Sequence, residues 1–360
     1  KLGKLTKPLK IPKHSKLVAR SDTNQICTFR TIWDLFFVPL EIVRVSFDDD
    51  ENFFVHIQTI QDSDLSELVI PSLDFHINAD WKMISLFQEN LTNKLQGVTL
   101  LDQKGNIKEY SKNNIEYKGF DEKELALPLP EGGQSAYSLL QEYFAFEKKF
   151  NFVTLKNIDL RNFSGRKLIL KLNFSILPKK LRTMTQHNLM LNCVPIINLF
   201  TKISEPIKLS DKKVDQLLIA DKKKDSYTEI HSIDSITISE PGARKPKKIR
   251  DFSTVADNLE PDEEENHNLY WVARREKSLR KDITGSDIFF SIVERNLSGE
   301  TIKNATAYAN LLCTNRRLCE QIPANSRFDA ENISDGIQIK SLYEPTPQRD
   351  PSFEGNSIWQ

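Results

Sequence analysis

The sequence predicts a mainly β protein with some α, an α+β fold built from two or three β-rich units with short helices. Three observations carry this expectation. Along 168–176, Leu168, Leu170, Leu172, Phe174 and Ile176 alternate without a slip against Ile169, Lys171, Asn173 and Ser175, the period-two signature of a strand. Short runs rich in β-branched and aromatic residues recur elsewhere between polar turns, as strands do. Only two stretches, 81–93 and 135–146, place apolar residues at clear helical spacing.

In chain order, strands are expected at 26–30, 41–47 and 52–60, with an acidic turn at 48–50. Segment 68–78 alternates near its end, Phe75 and Ile77 facing one way, Asp74 and His76 the other; Pro71 within it suggests an edge position or a bulge. Asp80 reads as the N-cap of a helix over 81–93, with Met83, Phe87 and Leu91 on one stripe. A strand at 98–101 follows Gly97. The breakers at 127–133 (LPLPEGG) close a first β-rich domain over 1–130. A second α+β domain, 131–240, opens with a helix capped by Ser135 and running through Phe146, with Tyr137, Leu140, Tyr143 and Phe144 at helical spacing. The strand at 168–176 follows, then strand or buried-loop material at 189–200 and 227–238. Residues 241–268 form a charged linker, basic at 241–251 and acidic at 257–268, and a polar loop is favoured over a docking site. A C-terminal β-rich segment, 269–360, carries strands at 269–274 and 287–294 and a mixed segment at 301–313.

Composition excludes several function classes. Fifty Lys and Arg balance 50 Asp and Glu in 360 residues, so the chain lacks the basic footprint of a nucleic-acid binder. Its 12 glycines are half or less of the usual roughly 7%, which leaves little for phosphate-cradling loops. The apolar runs at 35–40 and 194–200 are far too short to span a bilayer. No apolar stretch follows the basic Lys1-Leu2-Gly3-Lys4, and with no initiator Met the chain is expected to be a fragment. Four cysteines in this length suggest a reducing compartment rather than a disulfide framework.

No residue set has the spacing of catalytic, cofactor-binding or metal-ligating groups. Cys313 and Cys319 are separated from any second Cys/His pair, and the six histidines are scattered. His56 and His76 read as sheet residues. Cys193, among Leu191, Val194, Ile196 and Ile197, reads as a buried small hydrophobe. Six Asn-x-Ser/Thr sequons, at Asn90, Asn162, Asn173, Asn296, Asn304 and Asn332, read as chance in an Asn-rich chain.

Several stretches together resemble one family. Cys27-Thr28-Phe29-Arg30-Thr31, then Trp33-Asp34-Leu35 and Pro39-Leu40, is similar to its F-R-T, D, P-L opening; 73–91 matches its strand-then-helix unit. Leu139-Leu140-Gln141-Glu142-Tyr143-Phe144-Ala145-Phe146 with Lys149-Phe150 resembles its L-L-x-E-Y-F-x-F-P-E-K-F signature. Asn192-Cys193-Val194-Pro195-Ile196-Ile197-Asn198-Leu199-Phe200 resembles its N-C-x-P-(V/I)-(V/I)-N-L-F motif, continued by Glu205-Pro206-Ile207. Glu229–Ile236, Trp271-Val272-Ala273-Arg274-Arg275, Leu312-Cys313-Thr314-Asn315-Arg316 and Trp359 follow in the family's order. The family is TssF (VasA, ImpG) of bacterial type VI secretion systems. Glu147-Lys148 and Leu318-Cys319 depart from its usual Pro-Glu and Leu-Pro.

The resemblance implies a multi-domain scaffold without catalysis or cofactor. It implies assembly of two TssF copies with one TssG-like subunit into a wedge, and of wedges with TssE and TssK into a baseplate ring. Such a ring lies in the bacterial cytoplasm, at the cytoplasmic face of the inner membrane, and takes no nucleic acid, membrane insertion or small-molecule substrate. Two rivals stand beside this: a baseplate protein of a related phage-like injection device, and a polysaccharide-binding or polysaccharide-acting β protein. Tyr143, Phe144, Phe146 and Phe150 are candidates for an inter-subunit knob, but filling the core between helix and sheet is favoured. Asn192 and Asn198, bracketing Cys193 and Pro195, are expected to satisfy turn backbone groups. Phe200, Trp271, Arg274, Cys313 and Asn315 are further core or interface candidates. For Arg316, a buried ion pair and a contact to a neighbouring subunit remain open.

Overall fold

Sheet pairing in the first half of the chain follows from the alternation that begins at Leu168. In the computed structural model, which describes residues 7–60, 63–129, 133–209, 214–242, 245–252, 269–280, 283, 285–294, 305–331, 333 and 337–349, the strand Lys167–Phe174 is central in an antiparallel five-stranded sheet. Asn52–Thr59 and Leu95–Asp102 flank it, with Leu40–Phe47 and Ile107–Tyr110 outermost. Register sets Leu170 opposite both Val55 and Leu100, so Leu168, Leu170, Leu172 and Phe174 bury one common face with Phe53, Ile57 and Val98. Ile176 lies beyond the strand and is exposed, so the expected alternation stops one residue pair early.

Helix α1 (Trp81–Asn93) covers the same core with Met83, Ile84, Phe87 and Leu91. Asp80 caps it, its carboxylate accepting from the Met83 amide at 3.0 Å. The strand Ser72–Ile77 lies in a second, four-stranded sheet ordered Ile115–Lys118, Phe152–Lys156, Ser72–Ile77, Leu189–Met190. Pro71 precedes this strand, which is paired on both sides, so neither an edge position nor a bulge is needed to accommodate it. His76 is buried as a sheet residue, its ring 4.6 Å from Phe152, which itself packs edge-on against Trp33.

The chain divides into two compact units. Unit 1 draws on Lys1–Lys16, Thr31–Ile197 and Ala330–Ile339; unit 2 on Leu17–Arg30, Asn198–Asp329 and Lys340–Gln360. The boundaries expected at 130/131, 240/241 and 268/269 therefore fall inside units, and the main break lies between Ile197 and Asn198. Composition at 127–133 suggested a break because it holds chain breakers, but the strand Phe152–Lys156 beyond it pairs with Ser72–Ile77 before it.

Unit 2 is built on a large sheet ordered Phe200–Ile203, Thr306–Thr314, Glu229–Ser239, Lys247–Asp251, Leu269–Lys277, Ser286–Glu294, Gln216–Leu218. All pairings are antiparallel except that between Lys247–Asp251 and Leu269–Lys277. Ala307, Ala309, Leu311 and Cys313 alternate inward along Thr306–Thr314 and pack against Ile236, Ile238, Ile249 and Phe290. The basic stretch expected as linker thus contributes a strand, because Ile249 fills the core opposite Ile236 while its lysine and arginine neighbours stay outside. The acidic stretch at 257–268 and the sequons at 296, 304 and 332 lie outside the described residues. A hairpin of Lys16–Arg20 and Ile26–Thr31 adds to unit 2, Phe29 packing edge-on against Phe328 at 5.3 Å.

Burial, with the nearby Lys148 charge, pushes His76 down from the ordinary 6.5 to about 4. The unfolded chain then binds a proton between those values that the folded chain refuses. Stability from this residue is therefore whole above pH 6.5 and is lost as pH falls toward 4, by roughly 3 kcal/mol. Urea midpoints measured across that window should show the slope in the parent protein and a flattened one in His76→Phe.

Candidate functional site

Helix α2 (Ser135–Ala145) turns the usual amphipathic logic inside out. Its single buried residue is Glu142, whereas Tyr137, Leu140, Tyr143 and Phe144 are 76%, 56%, 50% and 63% exposed. Ser135 is its first residue and not its cap: Gln134 holds that position, without a side-chain hydrogen bond. The carboxylate of Glu142 accepts from the backbone N–H groups of Ala126 at 2.7 Å and Leu127 at 3.1 Å. Its other oxygen pairs with the Lys149 ammonium, which is only 1% exposed. A buried charge without such partners costs several kcal/mol, so this pair fixes which side of α2 faces the protein.

The aromatic residues form a connected surface. Phe150 is buried and serves as its floor, with Phe120 at 5.0 Å and Tyr143 at 5.7 Å between ring centroids. Phe144 lies 5.7 Å from Tyr143 and Phe146 is half-buried at the helix end. The favoured expectation, that these rings fill the core, therefore holds for Phe150 alone. Among the residues of α2 itself, Glu142 is the one charged group, so the outward face carries none.

Two asparagine nodes brace the backbone. In unit 1, Asn192 adopts φ +59°, a left-handed conformation that asparagine tolerates. Its amide nitrogen donates to Val38 O at 2.8 Å and its oxygen accepts from Val38 N at 2.8 Å, reproducing a strand pairing with one side chain. Nearby, Pro195 O accepts from Ile32 N at 3.0 Å. Cys193 packs with Val194 and Ile197 against Ile32, Trp33 and Phe152, and burial pushes its thiol up to about 12, so it is no nucleophile at neutral pH.

In unit 2, Asn198 and Asn315 interlock. Asn198 Nδ2 donates to Thr28 O at 2.7 Å and to Asn315 Oδ1 at 2.8 Å; the Asn315 amide donates back to Asn198 Oδ1 at 2.7 Å. Asn315 Oδ1 also accepts from Thr28 N at 2.8 Å, and its Nδ2 reaches Ile26 O and Tyr227 O. Phe200 is half-buried opposite Cys313, whose thiol burial likewise pushes up to about 12. Arg316, at φ +52°, points its guanidinium inward to within 3.7 Å of Glu229, so the alternative left open for it resolves as a buried ion pair.

Glu229 is the residue that sequence reasoning placed in a motif without a role. Its carboxylate accepts from Ser286 N and Oγ, each at 2.7 Å, and from Gln348 Nε2 at 2.8 Å. Gly285 completes the node: it sits at φ +109°, and a Cβ there would lie 2.7 Å from the Arg316 guanidinium and 2.8 Å from the Glu229 carboxylate. Trp271 and Arg274 stand apart from this cluster. Trp271 is buried in the sheet core, and Arg274 is exposed, bonded to Asp215 at 2.9 Å and Glu276 at 2.6 Å over the Phe289 ring. Among the described residues no group of three or more His, Cys, Asp or Glu is placed to hold a metal ion, and no helix is long and apolar enough to cross a membrane.

The polar residues singled out by motif, Arg274 apart, thus serve backbone and ion-pair satisfaction inside β-rich units, and the aromatic ones on α2 are turned outward. The family model described as "Type VI secretion system, TssF" matches residues 1–360, and the chain belongs to that family. It is 26% identical over 298 residues to the type VI secretion system component TssF1 of Pseudomonas aeruginosa, a match covering 78% of this chain and 47% of the relative. The chain thus spans about half the length of the curated relative it matches. A chain in a cryo-electron microscopy structure of a TssK-TssF-TssG baseplate subcomplex superposes with a TM-score of 0.77 at 21% identity, covering 100% of this chain and 67% of that one; the fold is shared.

Removing the acid of α2 leaves an unmatched buried ammonium. Glu142→Ala should therefore cost about 3–5 kcal/mol, and the double change E142L/K149M much less than the two single losses added, as a urea double-mutant cycle will measure. At the other node, Gly285→Ala should cost roughly 2–4 kcal/mol through clash and φ strain together, read as a lowered thermal midpoint.

Proposed function

We propose that this chain works as a structural subunit of a type VI secretion baseplate, by assembly and without catalysis, in the bacterial cytoplasm at the cytoplasmic face of the inner membrane. Its partners in this reading are a TssG-like subunit, a second TssF copy, TssK and TssE. Family membership supports the system, and the outward aromatic face of α2 supports the mode of action. Soluble monomers rarely leave a contiguous aromatic surface open, and Tyr- and Phe-rich, charge-free patches are where binding energy concentrates when two proteins meet. Tyr137, Leu140, Tyr143 and Phe144, with Phe120 beside them, are the contact residues assigned to a partner subunit. Phe150 and the Glu142–Lys149 pair hold that surface in place without touching the partner.

Changing exposed residues leaves the fold intact, which makes the reading testable. Tyr143→Ser with Phe144→Ser should keep the parent's thermal midpoint but weaken co-purification with the TssG-like subunit of the same system by about tenfold or more. Equal recovery of a two-to-one complex from variant and parent would remove α2 from the interface. A chain that never recovers such a subunit would overturn the assembly reading itself.

A further inference from the structure

Two turns of unit 2 enclose a small polar cavity of about 120 Å³. One is the hairpin turn between the strands Lys16–Arg20 and Ile26–Thr31, closed by Ser21 N donating to Gln25 O at 2.9 Å. The other is the 3-10 turn Asp225–Tyr227, entered from Lys224. Asn315 ties the two walls together, its Nδ2 donating to Ile26 O at 3.3 Å and to Tyr227 O at 3.4 Å. Arg20 and Lys224 supply the charge, and among the described residues no Asp or Glu lines the cavity. The acids beside Lys224 are engaged elsewhere: Asp221 pairs with Lys202 and Asp225 with Arg280. The Arg20 guanidinium reaches Asn24 alone, at 3.3 and 3.5 Å, and the Lys224 ammonium meets no carboxylate among the described residues. Thr228, also in the lining, is only 5% exposed, and its hydroxyl has no hydrogen-bond partner among the described residues. The larger cavity in unit 1, about 390 Å³, differs: its four lysines face four acids, with Lys118 on Asp74 at 2.7 Å.

We propose that this cavity is an oxyanion site that receives the carboxylate of a glutamate side chain presented by a protein partner. Two uncompensated cations and a buried, unpaired hydroxyl all call for oxygen acceptors, and charge-assisted hydrogen bonds are the stronger kind. Arg20 offers a planar fork that matches two oxygens of one group, and Lys224 adds a point charge from the other wall. In donating, Thr228 gains the partner that a buried hydroxyl otherwise lacks. Size narrows the ligand further. Cavities for whole small molecules run from about 300 Å³ upward, so one of about 120 Å³ takes the end of a side chain. Free phosphate shares the oxyanion chemistry, and the mouth separates the two sources. Ile26 is 45% exposed and Tyr227 39% there, apolar surface that a methylene stem covers and a bare ion leaves wet. No residue of α2 takes part, so the site stands independently of the assembly reading.

The full chain, carbon-13-labelled at isoleucine and threonine methyls, reports binding through the NMR signals of Ile26 and Thr228, assigned with Ile26→Val and Thr228→Ser. The probes are the peptides acetyl-Ala-Glu-Ala-amide and acetyl-Ala-Gln-Ala-amide, and inorganic phosphate. The Glu peptide should move both signals saturably and bind about tenfold or more tighter than its neutral Gln counterpart. Phosphate should bind more weakly than the Glu peptide, and raising sodium chloride from about 50 to 500 mM should weaken both. Arg20→Gln with Lys224→Gln should abolish the preference for Glu over Gln at an unchanged thermal midpoint, since both side chains are exposed. Lys179→Gln with Lys180→Gln removes the same charge from exposed positions in unit 1 and should change neither affinity. Signals that stay still with every probe, equal affinity for the two peptides, a preference that survives in the Arg20 and Lys224 variant, or phosphate as tight as the Glu peptide would overturn the proposal. The comparison of the two peptides on the parent chain decides even where a variant fails to fold.

Discussion

A carboxylate enclosed beneath a helix dictates the orientation of everything on that helix. Glu142 is matched by two backbone N–H groups and by the Lys149 ammonium, and no arrangement of α2 that turns it outward would leave Lys149 and those amides satisfied. Seen from the interior, the four exposed apolar side chains are the necessary complement of one buried acid. The Gly119 backbone, at φ +105°, passes so close to the Lys149 main chain that a Cβ would lie 2.9 Å from Lys149 O, so only glycine fits the loop against that residue. Ion pairs of this kind add little net stability against an apolar substitute. Their contribution is to forbid the alternative in which the rings are swallowed.

The same economy governs unit 2. Buried main-chain groups outside sheets must find partners, and here two asparagines and one glutamate supply them for segments widely separated in sequence. Asn315 serves Ile26, Thr28 and Tyr227, and Glu229 gathers Ser286, Gln348 and Arg316. A chain short of glycine can still make close approaches where it spends one, as Gly285 does between a guanidinium and a carboxylate.

Local periodicity made much of unit 1 legible. The Asp80 cap and helix 81–93, and the strand from Leu168 to Phe174, follow from spacing and end-signals contained within each segment. The orientation of α2 did not follow, because an apolar stripe at helical spacing looks identical whether it covers a core or awaits a partner; the clue was the acid on the wrong face with a lysine seven residues on. The strand Lys247–Asp251 reads as a polar connector since one residue, Ile249, carries its burial. Unit boundaries were invisible for another reason: unit 2 recruits Leu17–Arg30 across the whole of unit 1's main segment, and no local pattern reports such recruitment. Glu229, Gly285 and Arg316 meet only in three dimensions.

The strand Thr306–Thr314 lies between Phe200–Ile203 and Glu229–Ser239, although both neighbours precede it by many residues. During synthesis, therefore, the ribosome has released seven strands of this sheet, Ile207–Lys208 among them, before the one that joins its two parts emerges. Until then Glu229–Ser239 offers an unoccupied edge, and the Leu17–Arg30 hairpin, translated long before, has no finished unit to join. Such edges invite pairing with neighbouring nascent chains. The demand this places on folding is temporal: the exposed edge lasts through the interval in which residues 240–314 are made.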